Sequence, residues 1–201
     1  MSNIQYSFSD DGKYVSGCLD SGITFIIDSD KLSVIQDVNF YPSNQNNGIC
    51  YLIDSRGRSL HHYLFENIKG LEIDHINLDV LDNRRENIRY CTHQQNQMNQ
   101  PLQRNNKSGV SGVSFYPARN KYRARIKVKQ QDIHLGYYNT LEEATMARNV
   151  GMQCMFGAYG RYNLVKEIPM WIRRKVIHKC IKFSELSDNS PFFDFWGDGN
   201  D

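Results

Sequence analysis

The sequence has no apolar run long enough to span a bilayer, and its N-terminus lacks a basic, then apolar, leader. These absences give the expectation of a soluble chain that stays inside a cell. Cysteine is sparse and badly placed for cross-linking. Cys18, Cys50, Cys91, Cys154 and Cys180 are odd in number, scattered, and never spaced as C-x-x-C. A disulfide framework and a zinc knuckle are both excluded on that spacing, which leaves reduced, partly buried thiols. Net charge is also small, at +2.

The small net charge hides a strong asymmetry. Between Arg84 and Lys129 eleven Lys/Arg face one acid, Glu86, a local balance of +10. Residues 1–58 carry seven Asp against four Lys/Arg, and the segment from Ser184 carries five acids and no base. A basic middle between acidic ends points to a polyanionic partner for the middle.

At 201 residues with 40% apolar content, the chain can hold one large domain or two small ones. Residues 1–58 read as a β-rich region: runs such as Gly22-Ile-Thr-Phe-Ile-Ile27 alternate with turn-forming clusters. Residues 59–100 begin with a short helix around Leu60, Tyr63, Leu64 and Phe65. A strand over Leu71–Ile76, a polar loop, a strand over Ile88–Cys91 and a helix from Thr92 toward Gln100 follow. Residues 101–108 are a polar linker.

Residues 109–164 form a second unit. Lys121-Tyr-Arg-Ala-Arg-Ile-Lys-Val-Lys129 alternates strictly between basic and apolar positions, which puts five cations on one face of a strand. Ile133, Leu135 and Tyr137 are expected inward on a partner strand, with His134 outward, and Gly109–Tyr116 supplies a third strand. Thr140-Leu-Glu-Glu143 is a capping box opening a helix whose Ala144, Ala147 and Gly151 permit close approach to the sheet. Residues 165–201 comprise a basic amphipathic helix and an acidic, aromatic tail containing Phe192, Phe193, Phe195 and Trp196. The expected fold class is α+β.

Chemistry concentrates in Ile73-Asp-His-Ile-Asn77, Asp82-Asn-Arg-Arg-Glu-Asn-Ile-Arg89 and Thr92-His-Gln-Gln-Asn96. A neutral imidazole can take a proton near pH 7, and a hard cation held by a carboxylate and an amide oxygen can polarise a phosphate. This segment resembles the HNH homing-endonuclease family, in the variant whose last motif residue is Asn. The resemblance implies a ββα-metal fold with His75 as general base. It also implies Asp74 and Asn96 as ligands of Mg²⁺ or Mn²⁺, and Asn87 as a brace of the loop that orients His75. Arg84, Arg85 and Arg89 are candidate phosphate contacts, with plain surface charge as the alternative. His61 aligns with a family histidine and His62 departs from its arginine; packing is an equal reading for His61. His93 is an alternative ligand. Adjacent strand residues point to opposite faces, so Asp74 and His75 converge only if their strand bends or ends there.

Residues 109–164 resemble the ethylene-response-factor (Apetala-type) DNA-binding domain. The resemblance rests on Ser108-Gly-Val-Ser-Gly-Val113, Lys121-Tyr-Arg-Ala-Arg-Ile126, Ile133-His-Leu-Gly-Tyr137, Thr140-Leu-Glu-Glu-Ala144 and Arg161-Tyr-Asn163. It implies a three-stranded antiparallel sheet on one helix, with Arg123, Arg125, Lys127 and His134 toward double-stranded DNA. The combined expectation is a DNA endonuclease of phage or mobile-element type in a bacterial cytoplasm. It would nick one strand per binding event or, as a homodimer, cut both. The competing reading is a DNA-binding regulator with an inactive HNH motif. An RNA-binding module ranks below both, since the basic strand shows no row of surface aromatics.

Overall fold

The computed structural model describes residues 4–44, 49–102, 105–188 and 192. Of the aromatic tail, Phe193, Phe195 and Trp196 lie outside the described residues. The fold is α+β, and the chain divides into two compact units, Met1–His93 and Gln94–Asp201.

In the first unit β1 (Ile4–Phe8), β2 (Tyr14–Leu19) and β3 (Thr24–Asp28) form an antiparallel meander. Every second residue of β2 is buried, the period that one covered sheet face demands. Gly17 of β2 lies opposite Phe25 of β3. A Cβ on Gly17 would stand 2.3 Å from the Phe25 ring, so glycine is what lets that ring lie flat over the strand. A short helix α1 (Leu32–Ile35), a hairpin of β4 (Tyr41–Asn44) and β5 (Cys50–Ile53), and α2 (His61–Leu64) follow. Val15, Leu19, Phe25, Ile27, Ile35, Phe40, Leu52, Leu60 and Leu64 make one core.

Strand β6 (Glu72–His75) pairs antiparallel with β8 (Ile88–Cys91), and between them lies β7 (Asp82–Asn83). Strand β7 pairs parallel with β3, Ile26 to Asp82 and Ile27 to Asn83, as the fourth strand of the N-terminal sheet. Residues 1–58 and the first part of the HNH-like segment therefore share one unit, a link that hydropathy patterning does not carry.

Helix α3 (His93–Met98) carries the chain into the second unit. There β9 (Val113–Tyr116), β10 (Lys121–Val128) and β11 (Gln131–Tyr138) form an antiparallel sheet in the order β11-β10-β9. Helix α4 (Leu141–Phe156) packs on it, opened by the Thr140–Glu143 capping box with both reciprocal bonds present. A Cβ on Gly151 of α4 would lie 2.6 Å from Leu135 Cδ1, so helix and sheet do meet at van der Waals distance there. Asn149 of α4 ties down the closing segment: its amide donates to the Asn163 carbonyl at 2.8 Å and accepts from the Asn163 N–H at 3.0 Å. Helix α5 (Met170–Ile181) adds Ile172, Val176, Ile177 and Cys180 to the core of this unit.

Two sequence expectations need correction here. Lys129 does not extend the strand: it and Gln130 have φ of 44° and 67°, a two-residue turn of the type whose twist suits a tight hairpin. Tyr137 is not inward. The pairing passes from Ala124–Gly136 to Arg125–His134, leaving Leu135 as an extra residue on β11. That bulge shifts the alternation by one, so Tyr138 is buried at 2% exposure and Tyr137 joins the outer face. Gly136 takes φ 139° at this point. No helix among the described residues is long and apolar enough to cross a membrane.

Candidate functional site

Strand β6 ends on the two residues that carry the chemistry. Asp74 and His75 are 5% and 6% exposed, so the in-out alternation stops where the strand does. Their side chains take different partners. Asp74 lies opposite Arg89 of β8, and its Oδ2 accepts from Arg89 Nε at 2.8 Å and Nη2 at 2.7 Å. His75 Nε2 lies 3.1 Å from Oδ1 of Asn83 in β7, itself 1% exposed.

Asn83 fixes the tautomer. Its Nδ2 donates to the Val80 carbonyl at 3.3 Å, which turns Oδ1 toward the imidazole. Nε2 of His75 is therefore the protonated nitrogen, and a proton taken up by the ring goes to Nδ1. Burial pushes the His75 pKa below its ordinary value, while the bond to Asn83 and the fields of Asp74, Asp79 and Asp82 pull it back. The ring is neutral and basic near pH 7.

Asn87, 5% exposed, spans the loop between β6 and β8. Its Oδ1 accepts from the Asn77 N–H at 2.9 Å, and its Nδ2 donates to the Asp82 carbonyl at 2.7 Å. Its own carbonyl accepts from the Ile76 N–H at 2.8 Å. One side chain thus ties the residues just after His75 to the residue just before Asn83.

Beside His75 stands His61 of α2, ring centroids 5.5 Å apart and nearly perpendicular, with Tyr51 on another side of His61 at 6.0 Å. Burial, then repulsion from His62 and His75, pushes the His61 pKa down to about 3. Ser59 Oγ bridges the two neighbouring imidazoles, 3.0 Å from His61 Nε2 and 2.6 Å from His62 Nδ1. His61 is neutral at any ordinary pH, so it can accept or coordinate but carries no charge. His93 is exposed and bonds Glu72 through Nδ1 at 2.8 Å. Asn96 lies half-buried on α3, in the second unit.

Arg84, Arg85 and Arg89 are each engaged by carboxylates. Arg84 makes a two-pronged pair with Asp82, both contacts at 2.8 Å, and also reaches Glu86. Arg85 pairs with Asp30, and its N–H donates to Asp28 at 2.9 Å. Arg89 holds Asp74. Arg84 finds its partners two residues away in the chain, whereas those of Arg85 and Arg89 come from a distant segment and from the strand opposite, where nothing in the local sequence announces them. Asn83 and Arg89 are the neighbours of the site that motif reading left without a structural role.

Among the described residues no three His, Cys, Asp or Glu side chains are grouped to hold a metal. An ion here would need amide, phosphate or water oxygens besides a carboxylate, a set that suits Mg²⁺ rather than zinc. The charge of Asp74 is felt by its neighbours: after burial, it is the main cause raising Tyr51 and pushing Cys91 up to about 11.

On the second unit, Lys121, Arg125, Lys127 and His134 are exposed, and Arg123 is half-buried with its guanidinium 5.6 Å from the Tyr116 ring centre. Arg125 has a loose exposed contact of 3.5 Å with Asp132. Tyr137, turned outward by the bulge, lies 4.6 Å from the His134 ring and 5.3 Å from Tyr116. The outer face is thus basic and also aromatic.

No curated protein and no solved structure matches the chain. Residues 61–98 match the model of the family described as HNH endonuclease, a stretch that runs from α2 through β6, β7 and β8 to the end of α3.

Proposed function

We propose that the chain is a metal-dependent HNH endonuclease that hydrolyses phosphodiester bonds in double-stranded DNA, cutting one strand per engagement. The observation that carries this is the buried, neutral His75 with Nε2 committed to Asn83, inside a segment that matches the HNH endonuclease family. In this reading His75 takes the proton of the attacking water on Nδ1. Asn87 holds the loop so that the ring keeps its angle. Asp74 and Asn96 would hold Mg²⁺ or Mn²⁺. The ion would supply charge stabilisation for the phosphate and the leaving oxygen.

Arg123, Arg125, Lys127 and His134 hold the DNA on the sheet of the second unit, in the manner of an ethylene-response-factor domain. The three-stranded antiparallel sheet with α4 behind it supports that likeness. The test is nicking of supercoiled plasmid with Mg²⁺ or Mn²⁺. His75→Ala should abolish the nick and leave DNA affinity within about twofold; full cleavage by that variant would remove the assignment.

A second reading has its own observation. Asp74 sits in a buried pair with Arg89, an arrangement that also serves a motif kept for structure. Tight DNA binding with no metal-dependent cleavage under any divalent ion would favour this DNA-binding, non-cleaving protein.

A further inference from the structure

A groove of about 600 Å³ runs along the β11 edge of the second unit, lined by Arg119, Lys121, His134, Gly136, Tyr137, Lys175 and Lys179. The last two lysines belong to α5, four residues apart and so on one face of that helix. The others come from the sheet and the turn before β10. We infer that this groove is a second DNA-backbone site, in which α5 clamps one strand's phosphates against the edge of the basic sheet.

Three observations support it. First, among the described residues no carboxylate pairs with Arg119, Lys121, Lys175 or Lys179, whereas Arg84, Arg85 and Arg89 of the first unit are all paired. Four cations gathered without a counter-ion repel one another, and an entering anion relieves that repulsion. The neighbouring cations act on the groove's own members, after burial. Burial first, then Lys175, lowers the Lys179 pKa; burial, then Lys179, Arg123, Arg119 and Lys175, lowers that of His134.

Second, two of the cations are held in place by rings. Arg119 lies 4.6 Å from the Tyr137 ring centre, and Lys175 lies 4.4 Å from Tyr138 and 5.8 Å from Trp171. Cation–π seating of this kind limits the freedom that would otherwise be lost on binding. Third, the groove adjoins the outer sheet face: Lys121 shares the row with Arg123, Arg125 and Lys127, and His134 lies opposite Arg125. Its size and its continuity with that row fit a chain of phosphates rather than one small anion. The bulge at Leu135 opens the site, since it moves Tyr137 onto this side.

The inference rests on the reading of the sheet as a DNA holder, and the test separates the two. The full chain is titrated with a fluorescent 30-base-pair duplex across a range of salt. Three double variants are compared: Lys175→Gln with Lys179→Gln, Arg119→Gln with Lys121→Gln, and Arg125→Gln with Lys127→Gln. Thermal melting accompanies each, and the pair on the sheet side of the groove covers the case in which the α5 pair fails to fold. Loss of two phosphate contacts predicts a log K against log salt slope shallower by about 2, with affinity on the order of tenfold weaker near physiological salt. Both groove pairs should show this. Unchanged slope and affinity in the groove pairs, with weakening in the Arg125/Lys127 pair, would overturn the groove and keep the sheet. Unchanged binding in all three pairs would overturn both.

Discussion

The side-chain oxygen of Asn83 faces Nε2 of His75 across 3.1 Å, and neither group is open to solvent. A carboxamide at that place fixes which imidazole nitrogen carries the proton without charging the ring. Asn83→Ala should slow nicking on the order of 10- to 100-fold, as loss of an orienting partner commonly does. Asn83→Asp should act differently. A carboxylate beside the ring favours its protonated form, so the acid limb of the pH–rate profile should move to higher pH. A profile unmoved in Asn83→Asp would argue that His75 is not the titrating base.

Asn87 contributes to stability as well as to loop shape. Asn87→Ala leaves the Asp82 carbonyl without its partner in a buried setting and the Asn77 N–H without its partner in a part-buried one. A loss of about 1–3 kcal/mol is expected, read from the urea midpoint at constant m-value. A change below about 0.5 kcal/mol would mean that solvent replaces both bonds.

The Asp74–Arg89 pair should be costly to halve and cheap to remove whole. Arg89→Ala leaves a carboxylate at 5% exposure without its counter-charge, for an expected loss of about 3–5 kcal/mol. Replacing Asp74 by Leu and Arg89 by Met together should restore most of that stability while leaving no carboxylate for a metal. The double variant is therefore expected to fold, to bind DNA and not to cleave. Chemical denaturation and the plasmid assay read the two outcomes separately.

Acid should destabilise the chain over a window set by histidine. An unfolded imidazole titrates near 6.5. His61 titrates at about 3 in the fold, and His75 also lies below its ordinary value. Above pH 6.5 both states are neutral and neither group affects stability. As pH falls below that point the unfolded chain takes up protons that the folded chain refuses, so stability drops. The depressed carboxylates Asp54 and Asp82 act in the same direction, but only nearer pH 4 and below. The fall in urea midpoint between pH 7 and pH 5 should therefore shrink in His61→Gln; an equal fall would assign the effect elsewhere.

Local patterns read well from sequence wherever the controlling contact is a neighbour in the chain. The second strand of the HNH-like segment, Ile88–Cys91, has the expected ends, and the capping box at Thr140 opens α4 where side-chain chemistry places it. Strict alternation located β10. The failures share one cause, which is the geometry of strand pairing and its turns, including that of the β10–β11 hairpin. A single extra residue at Leu135 exchanges the faces of Tyr137 and Tyr138, and alternation alone cannot register an insertion that depends on the partner strand. The aromatic surface whose absence counted against RNA recognition arises from that shift. Likewise the types and spacing of Asp74, His75, Asn87 and Asn96 stand out in the sequence. The partners of the first two do not, because Arg89 and Asn83 reach the site through strand pairing.

The parallel contact between β3 and β7 bears on portability. Asn83 is seated in register with Ile27, so a fragment cut at residue 59 would keep the imidazole and discard the strand that seats the group aligning it. Transplanting residues 61–98 onto another scaffold would require a host strand in place of Thr24–Asp28. The smallest transferable cassette thus begins at Thr24 and is about twice the length of the stretch that matches the family.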